Sequence, residues 1–83
     1  MEQVIINYII DEFHGGDASI AIAADDDLLG SGLVESMSMM RLITFLEETY
    51  QFKLPFQDMT IDNFETVNAM VAYIKKQNKV TPS

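Results

Sequence analysis

Between Ser36 and Tyr50, apolar residues return every three or four positions as Met37, Met40, Ile43, Leu46 and Tyr50, with Leu42 and Phe45 broadening the row. That interval is the repeat of a helix surface, so the segment is predicted to be an amphipathic α-helix that must cover one side against neighbours. The chain has 83 residues in which to supply them, enough for one compact core. Residues 2–13 place Val4 or Ile5, Tyr8 or Ile9, and Phe13 at helical spacing, and Gly15-Gly16 stops that helix, although its β-branched residues would also suit a strand. Leu54-Pro55 breaks the chain after the central helix, and a short helix is predicted around Ile61 to Phe64. Residues 66–76 bring Val67, Met70, Val71 and Ile74 onto one face, with Thr66 as N-cap and Lys75 and Lys76 near the C-terminal end, where the dipole favours them. The expected fold is all-α, a small antiparallel four-helix bundle of three long helices and one short, with a long loop between helices one and two. We read residues 1–83 as a single domain with its core in about 2–76 and a frayed tail over 79–83.

The loop, residues 14–35, carries Gly15, Gly16, Gly30 and Gly32 and the run Asp25-Asp26-Asp27. A connection this long is uncommon in a small domain unless it has a task. Its apolar residues Ile20, Ile22, Leu28, Leu29, Leu33 and Val34 predict that it lies across the helices; Ser19 to Ala23 fits either an extended segment or one helical turn.

Composition removes several function classes. There is no cysteine, so a disulfide, a thiolate zinc site and a protein thiol nucleophile are excluded, and any sulfur chemistry must be imported. No apolar run approaches the roughly 20 residues of a membrane span, and the N-terminus has no signal-peptide pattern; a soluble, cytoplasmic monomer is expected. The net charge is −8, and residues 1–40 hold eight acids (Glu2, Asp11, Glu12, Asp17, Asp25, Asp26, Asp27, Glu35) without one Lys or Arg. Nucleic acid is repelled by such a field, whereas a partner with a basic patch is attracted. The plainer reading is that the charge keeps a small protein soluble.

Three places invite a chemical reading. Asp25 to Asp27 with Gly30 resemble the start of a calcium loop, but Leu29 and Ser36 stand where the fifth and twelfth positions need ligands, so a solvated acidic turn is expected and no metal. His14, the sole histidine, has no companion at catalytic spacing and is expected to help cap carbonyls at the first helix end. Ser36 opens the central helix. A serine there is ordinarily an N-cap whose hydroxyl accepts a first-turn N–H. The same position can also expose a hydroxyl where a phosphodiester would meet unpaired N–H groups and the positive end of the dipole.

Gly32-Leu33-Val34-Glu35-Ser36-Met37 resembles the attachment motif of the acyl carrier protein family, Gly-x-x-Asp-Ser-Leu. The likeness continues through Met40, Leu42, Ile43, Leu46, Glu47, Glu48 and Tyr50, then Lys53-Leu54-Pro55, then Asn63 to Val67 with Met70, Tyr73 and Ile74; with Asp27-Leu28 it covers roughly residues 27–75. The resemblance implies a non-catalytic carrier. A phosphopantetheinyl transferase would place 4'-phosphopantetheine on Ser36, rather than on the nearby Ser38, and acyl groups would ride on it as thioesters in fatty-acid, polyketide or related biosynthesis. A thiol on a flexible arm offers one cargo to several enzymes at high effective concentration.

The resemblance also implies partners, namely acyl-activating, condensing or acyl-transferring enzymes with basic docking patches. Glu35, Glu47 and Glu48 would meet those patches, with Met37 and Met40 as adaptable apolar contacts. Glu35 and Met37 depart from the family's Asp and Leu, and Met39, Met40 and Arg41 stand in its acidic second helix. Of the neighbouring methionines, Met40 is expected in the core and Met39 is taken as incidental. Leu42, Phe45, Leu46 and Ile61 are candidates for the lining of an acyl cleft. The same motif resembles peptidyl and aminoacyl carriers of the D-alanine type, and an unmodified acidic helical interaction module is the reading of a different class.

Overall fold

A computed structural model describes residues 1–80, with side chains through residue 77. Helices α1 (Glu2–Phe13), α2 (Ser36–Tyr50), α3 (Ile61–Phe64) and α4 (Val67–Val80) follow in order, with a single 3-10 turn over Phe56–Asp58, and the described residues contain no strand. The β-branched residues of α1 therefore sit in a helix. Burial of Ile5 and Ile9 outweighs their modest helix propensity, and Val4 is left exposed. Helix α4 runs on past Lys76 to Val80, and residues 81–83 of the expected tail lie outside the described residues.

The helix ends are chemically specified. His14 N–H and Gly16 N–H both donate to Ile10 O, and Gly15 and Gly16 adopt positive φ of 63° and 74°, the left-handed backbone that glycine enters at little cost. Thr66 is the N-cap the sequence predicts, its Oγ1 accepting the Ala69 N–H at 3.0 Å. At the far end of α2, Gln51 takes a left-handed conformation, and its N–H and that of Phe52 close on Glu47 O.

α1 packs against both α2 and α4, and α3 against α4. Their shared core contains Leu42, Ile43 and Leu46 of α2 and Val67, Met70, Val71 and Ile74 of α4. Each such side chain stabilises the fold by about 1.5–3 kcal/mol relative to exposure. The apolar stripe of α2 is nevertheless rotated from its predicted phase. Met39 is buried at 7% exposure, whereas Met37 is 85% and Met40 49% exposed, which reverses the expected roles of Met39 and Met40. The first turn of α2 overhangs the core, so only its inward position is covered.

The long loop forms neither helix nor strand and is bound to the helices. Ile22, Leu28 and Val34 are buried, and Ile20, Leu29 and Leu33 pack partly against the same core. Leu28 N–H donates to Glu65 O and Asn68 N–H donates to Ala24 O, both at 2.9 Å, so the loop is joined at two points to the α3–α4 corner. This is the task that its length required.

Leu46→Ala should lower the free energy of unfolding by about 2–5 kcal/mol in urea titration. An alkaline limit is also built in. Burial, then the hydrogen bond to Asp58, then that carboxylate's charge raise the Tyr73 phenol from its ordinary 10.0 to about 12. The folded state thus holds a proton that the unfolded chain releases, and its stabilisation is present below pH 10 and lost between about 10 and 12. Tyr73→Phe should flatten part of the alkaline decline in urea stability over that interval, and an unchanged decline would contradict this assignment.

Candidate functional site

Ser36 is exposed in the first turn of α2, immediately after Glu35, whose extended backbone (φ −79°, ψ 160°) makes it the capping residue. Neither residue supplies a side-chain cap to the helix, and among the described residues no hydrogen bond engages the Ser36 hydroxyl. Ser36 is therefore not the N-cap of the plainer reading. The exposed residue stands at first-turn N–H groups, where the positive end of the helix dipole favours an attached phosphate. Ser38, one turn position further, is half-buried.

The approach to Ser36 is fixed from three directions. Val34 is buried and its N–H donates to Leu28 O at 3.0 Å. His14 Nε2 makes a 2.8 Å bond with Leu33 O, and since a carbonyl only accepts, the ring donates there. His14 therefore serves two carbonyls: its backbone N–H caps Ile10 O at the end of α1, as expected, and its ring donates to the loop 19 residues on. Gly32, at φ 80°, supplies the left-handed bend before these anchored residues.

Further back, the acidic run serves as turn chemistry. Asp26 Oδ2 accepts the Ala23 N–H and Asp27 Oδ1 the Gly30 N–H, at 2.8 and 2.9 Å. Among the described residues no three acids or histidines gather into a metal-binding group.

Beside Ser36 lies an open cleft of about 140 Å³ between α2 and the α3 region. Met39, Met40 and Ile43 line one side, Met59, Thr60 and Ile61 the other, with Phe64 and Leu29 completing it. Of the four residues expected to line a cleft, Ile61 does so. Leu42 and Leu46 are fully buried in the core, and Phe45 lies on the α1 side, stacked on Tyr8 with ring centroids 3.9 Å apart. Met39 and Ile43 were legible in principle, since they stand three and seven positions after Ser36, one helical face.

The five residues expected to meet partners also separate. Glu35, Met37, Met40 and Glu48 are exposed, whereas Glu47 is half-buried and its Oε2 accepts the Leu54 N–H at 2.8 Å, tying the chain before Pro55 to α2. Arg41 turns toward α1, 3.2 Å from Glu12 and over the Phe13 ring. That pair is exposed on both sides and contributes little to stability.

A family model described as a phosphopantetheine attachment site matches residues 4–74. The chain belongs to that family. The match includes α1, which carries no motif of its own. Members of the family are non-catalytic carriers, and the group they hold is 4'-phosphopantetheine. An exposed, unbonded hydroxyl at a helix start, with an apolar cleft beside it, fits that group.

Among curated relatives, a D-alanyl carrier protein of Leuconostoc citreum is 32% identical over 71 residues, 86% of this chain and 83% of that protein. D-alanyl carrier proteins of Lactobacillus delbrueckii subsp. bulgaricus and Streptococcus uberis are each 31% identical over 52 residues, 63% of this chain and 65% and 66% of theirs.

Gly30 tests the turn that precedes the attachment motif. A Cβ at that position would overlap the Asp27 carboxylate, so Gly30→Ala must displace the side chain that accepts the Gly30 N–H. A loss of about 0.5–1.5 kcal/mol in urea stability is expected, the net contribution of one hydrogen bond; unchanged stability would mean that the Asp27 interaction contributes nothing.

Proposed function

We propose that Ser36 is the phosphopantetheine attachment residue of a cytoplasmic carrier, and that its cargo is a small aminoacyl group of the D-alanyl type. The observation that carries the first part is the exposed Ser36, its hydroxyl without a hydrogen bond among the described residues, inside the matched family segment. The D-alanyl names of the relatives and the size of the cleft support the second. A closed apolar cavity of about 150 Å³ admits a molecule the size of benzene. The 140 Å³ beside Ser36, open to water, suits a short cargo better than a long alkyl chain.

When bound, the arm supplies the thiol that a cysteine-free chain lacks and holds the cargo as a thioester. The residues of the chain perform three tasks around it. Ser36 offers the oxygen through which the phosphate is joined. The N–H groups at the start of α2 face that phosphate. Val34, Leu33 and His14 hold the hydroxyl at a fixed place on the surface, so that a phosphopantetheinyl transferase and later a cargo-activating enzyme can reach it.

Met37 and Met40 flank Ser36 with exposed thioethers, and Glu35 and Glu48 add negative charge at the two ends of α2. We read the docking face as mixed. Basic residues of a partner would meet the carboxylates and apolar ones the methionines. Glu47 is occupied by Leu54 and is a weaker candidate.

Incubation with coenzyme A and a broad-specificity transferase should give one phosphopantetheine adduct by intact mass. Ser36→Ala should abolish it and Ser38→Ala should not. An unchanged mass for the native sequence would leave an unmodified interaction module instead. With ATP and a D-alanine-activating enzyme, the modified protein should then form a D-alanyl thioester. If it refuses D-alanine but is loaded by malonyl- or acyl-transferring enzymes, the cargo belongs to fatty-acid or polyketide synthesis.

A further inference from the structure

The outer wall of the cleft, Met59 to Ile61, is short and poorly anchored by backbone. Residues 55–60 bond among themselves and to Asn63: Asp58 N–H to Pro55 O, Met59 N–H to Phe56 O, Thr60 N–H to Asp58 O, and Asn63 N–H to Thr60 O. Among the described residues no backbone hydrogen bond joins this stretch to α1, α2 or α4. Ile61, at its end, is 65% exposed.

From behind, α4 reaches this wall through Tyr73. The phenol is buried and donates to Asp58 Oδ2 at 2.8 Å, while Asn63 Nδ2 donates to Asp58 O at the same distance. Around the bond, the Tyr73 ring lies against Phe52 and Phe64, with centroids 6.0 and 5.8 Å away. Phe64 is itself part of the cleft. One α4 side chain thus contacts Phe52 and Asp58 before the wall and Phe64 after it. A hydrogen bond to a charged acceptor, sheltered as this one is, is among the stronger local constraints available to a neutral side chain.

We infer that Tyr73 is a positioning residue for the cargo cleft: by holding Asp58 it fixes the Met59–Ile61 wall close to Met39, Met40 and Ile43 and thereby limits the cleft to short acyl groups. Tyr73 is not among the residues that line the cleft; it acts through Asp58 and Phe64. The inference rests on the reading of Ser36 as the attachment residue, and its test separates the two.

Tyr73→Phe keeps the ring and removes the donor. Asp58→Ala removes the acceptor, and Asp58→Asn restores an acceptor oxygen. In hydrogen exchange, the Met59 and Thr60 amides should open about tenfold faster in Tyr73→Phe and Asp58→Ala, as loss of a hydrogen bond to a charged group implies, and near the native rate in Asp58→Asn.

The native protein and each variant are then loaded from acetyl- or octanoyl-coenzyme A by a broad-specificity transferase, and hydroxylamine cleavage of each thioester is timed against free acyl-pantetheine. The native protein and Asp58→Asn should leave both thioesters as labile as the free compounds. Tyr73→Phe and Asp58→Ala should slow octanoyl cleavage several-fold and leave acetyl cleavage unchanged. Equal rates for the two chains in every variant, or native amide exchange in Tyr73→Phe, would overturn the inference. Failure of the native protein to accept any acyl-phosphopantetheine would count against Ser36 as the attachment residue, and the exchange measurement would still decide the role of Tyr73.

Discussion

Leu28 is fully buried while its N–H donates to Glu65 O and its carbonyl accepts the Val34 N–H, so one loop residue is bonded both to the α3–α4 corner and to the strand of chain that delivers Ser36. Burying its side chain alone is favourable by about 1.5–3 kcal/mol. The two hydrogen bonds are shielded by that burial, and leaving either group unpaired would cost a comparable amount. The position of Ser36 is therefore set by the core, although Ser36 itself has no part in it. Asn68 N–H on Ala24 O and His14 on Leu33 O extend the same arrangement to α4 and α1.

This arrangement explains how 22 residues of irregular chain persist in so small a protein. Helices α1 and α2 leave an apolar gap that short connections could not cover. Ile22, Leu28 and Val34 fill it, with the polar backbone between them satisfied by turns that Asp26 and Asp27 cap. The acidic run is then explained locally by its side chains accepting N–H groups in tight turns, in addition to the field it projects. If Ser36 bears the arm, such a frame holds the arm's root in place. The flexibility then resides in the arm.

Much of the fold was legible in the sequence because it is written in side chains. The limits of α1, α2 and α3, the Thr66 cap and the apolar residues of the loop all follow from spacing or from residue chemistry, and Ser36 stands in a motif that resembles the family's attachment motif. The failures have a common cause. Methionines at 37, 39 and 40 allow two phases of the same helical stripe, and only the overhang of the first turn decides between them. Leu42 and Leu46 satisfy core and cleft equally well as sequence. The ties from Leu28 and Asn68 run through backbone groups that every residue carries, and so leave no signal. The 3-10 turn after Pro55 is only three residues long, too short for any periodicity to show.

The exposed thioethers beside Ser36 have a redox consequence. Sulfoxide formation makes a methionine polar and chiral, and an oxidant in solution meets Met37 and Met40 well before the fully buried Met70. Mild oxidation would therefore make the surface beside Ser36 more polar while sparing the packing that keeps the helices together. A chain with no cysteine of its own thus keeps an oxidisable sulfur of its own in the exposed methionines beside Ser36.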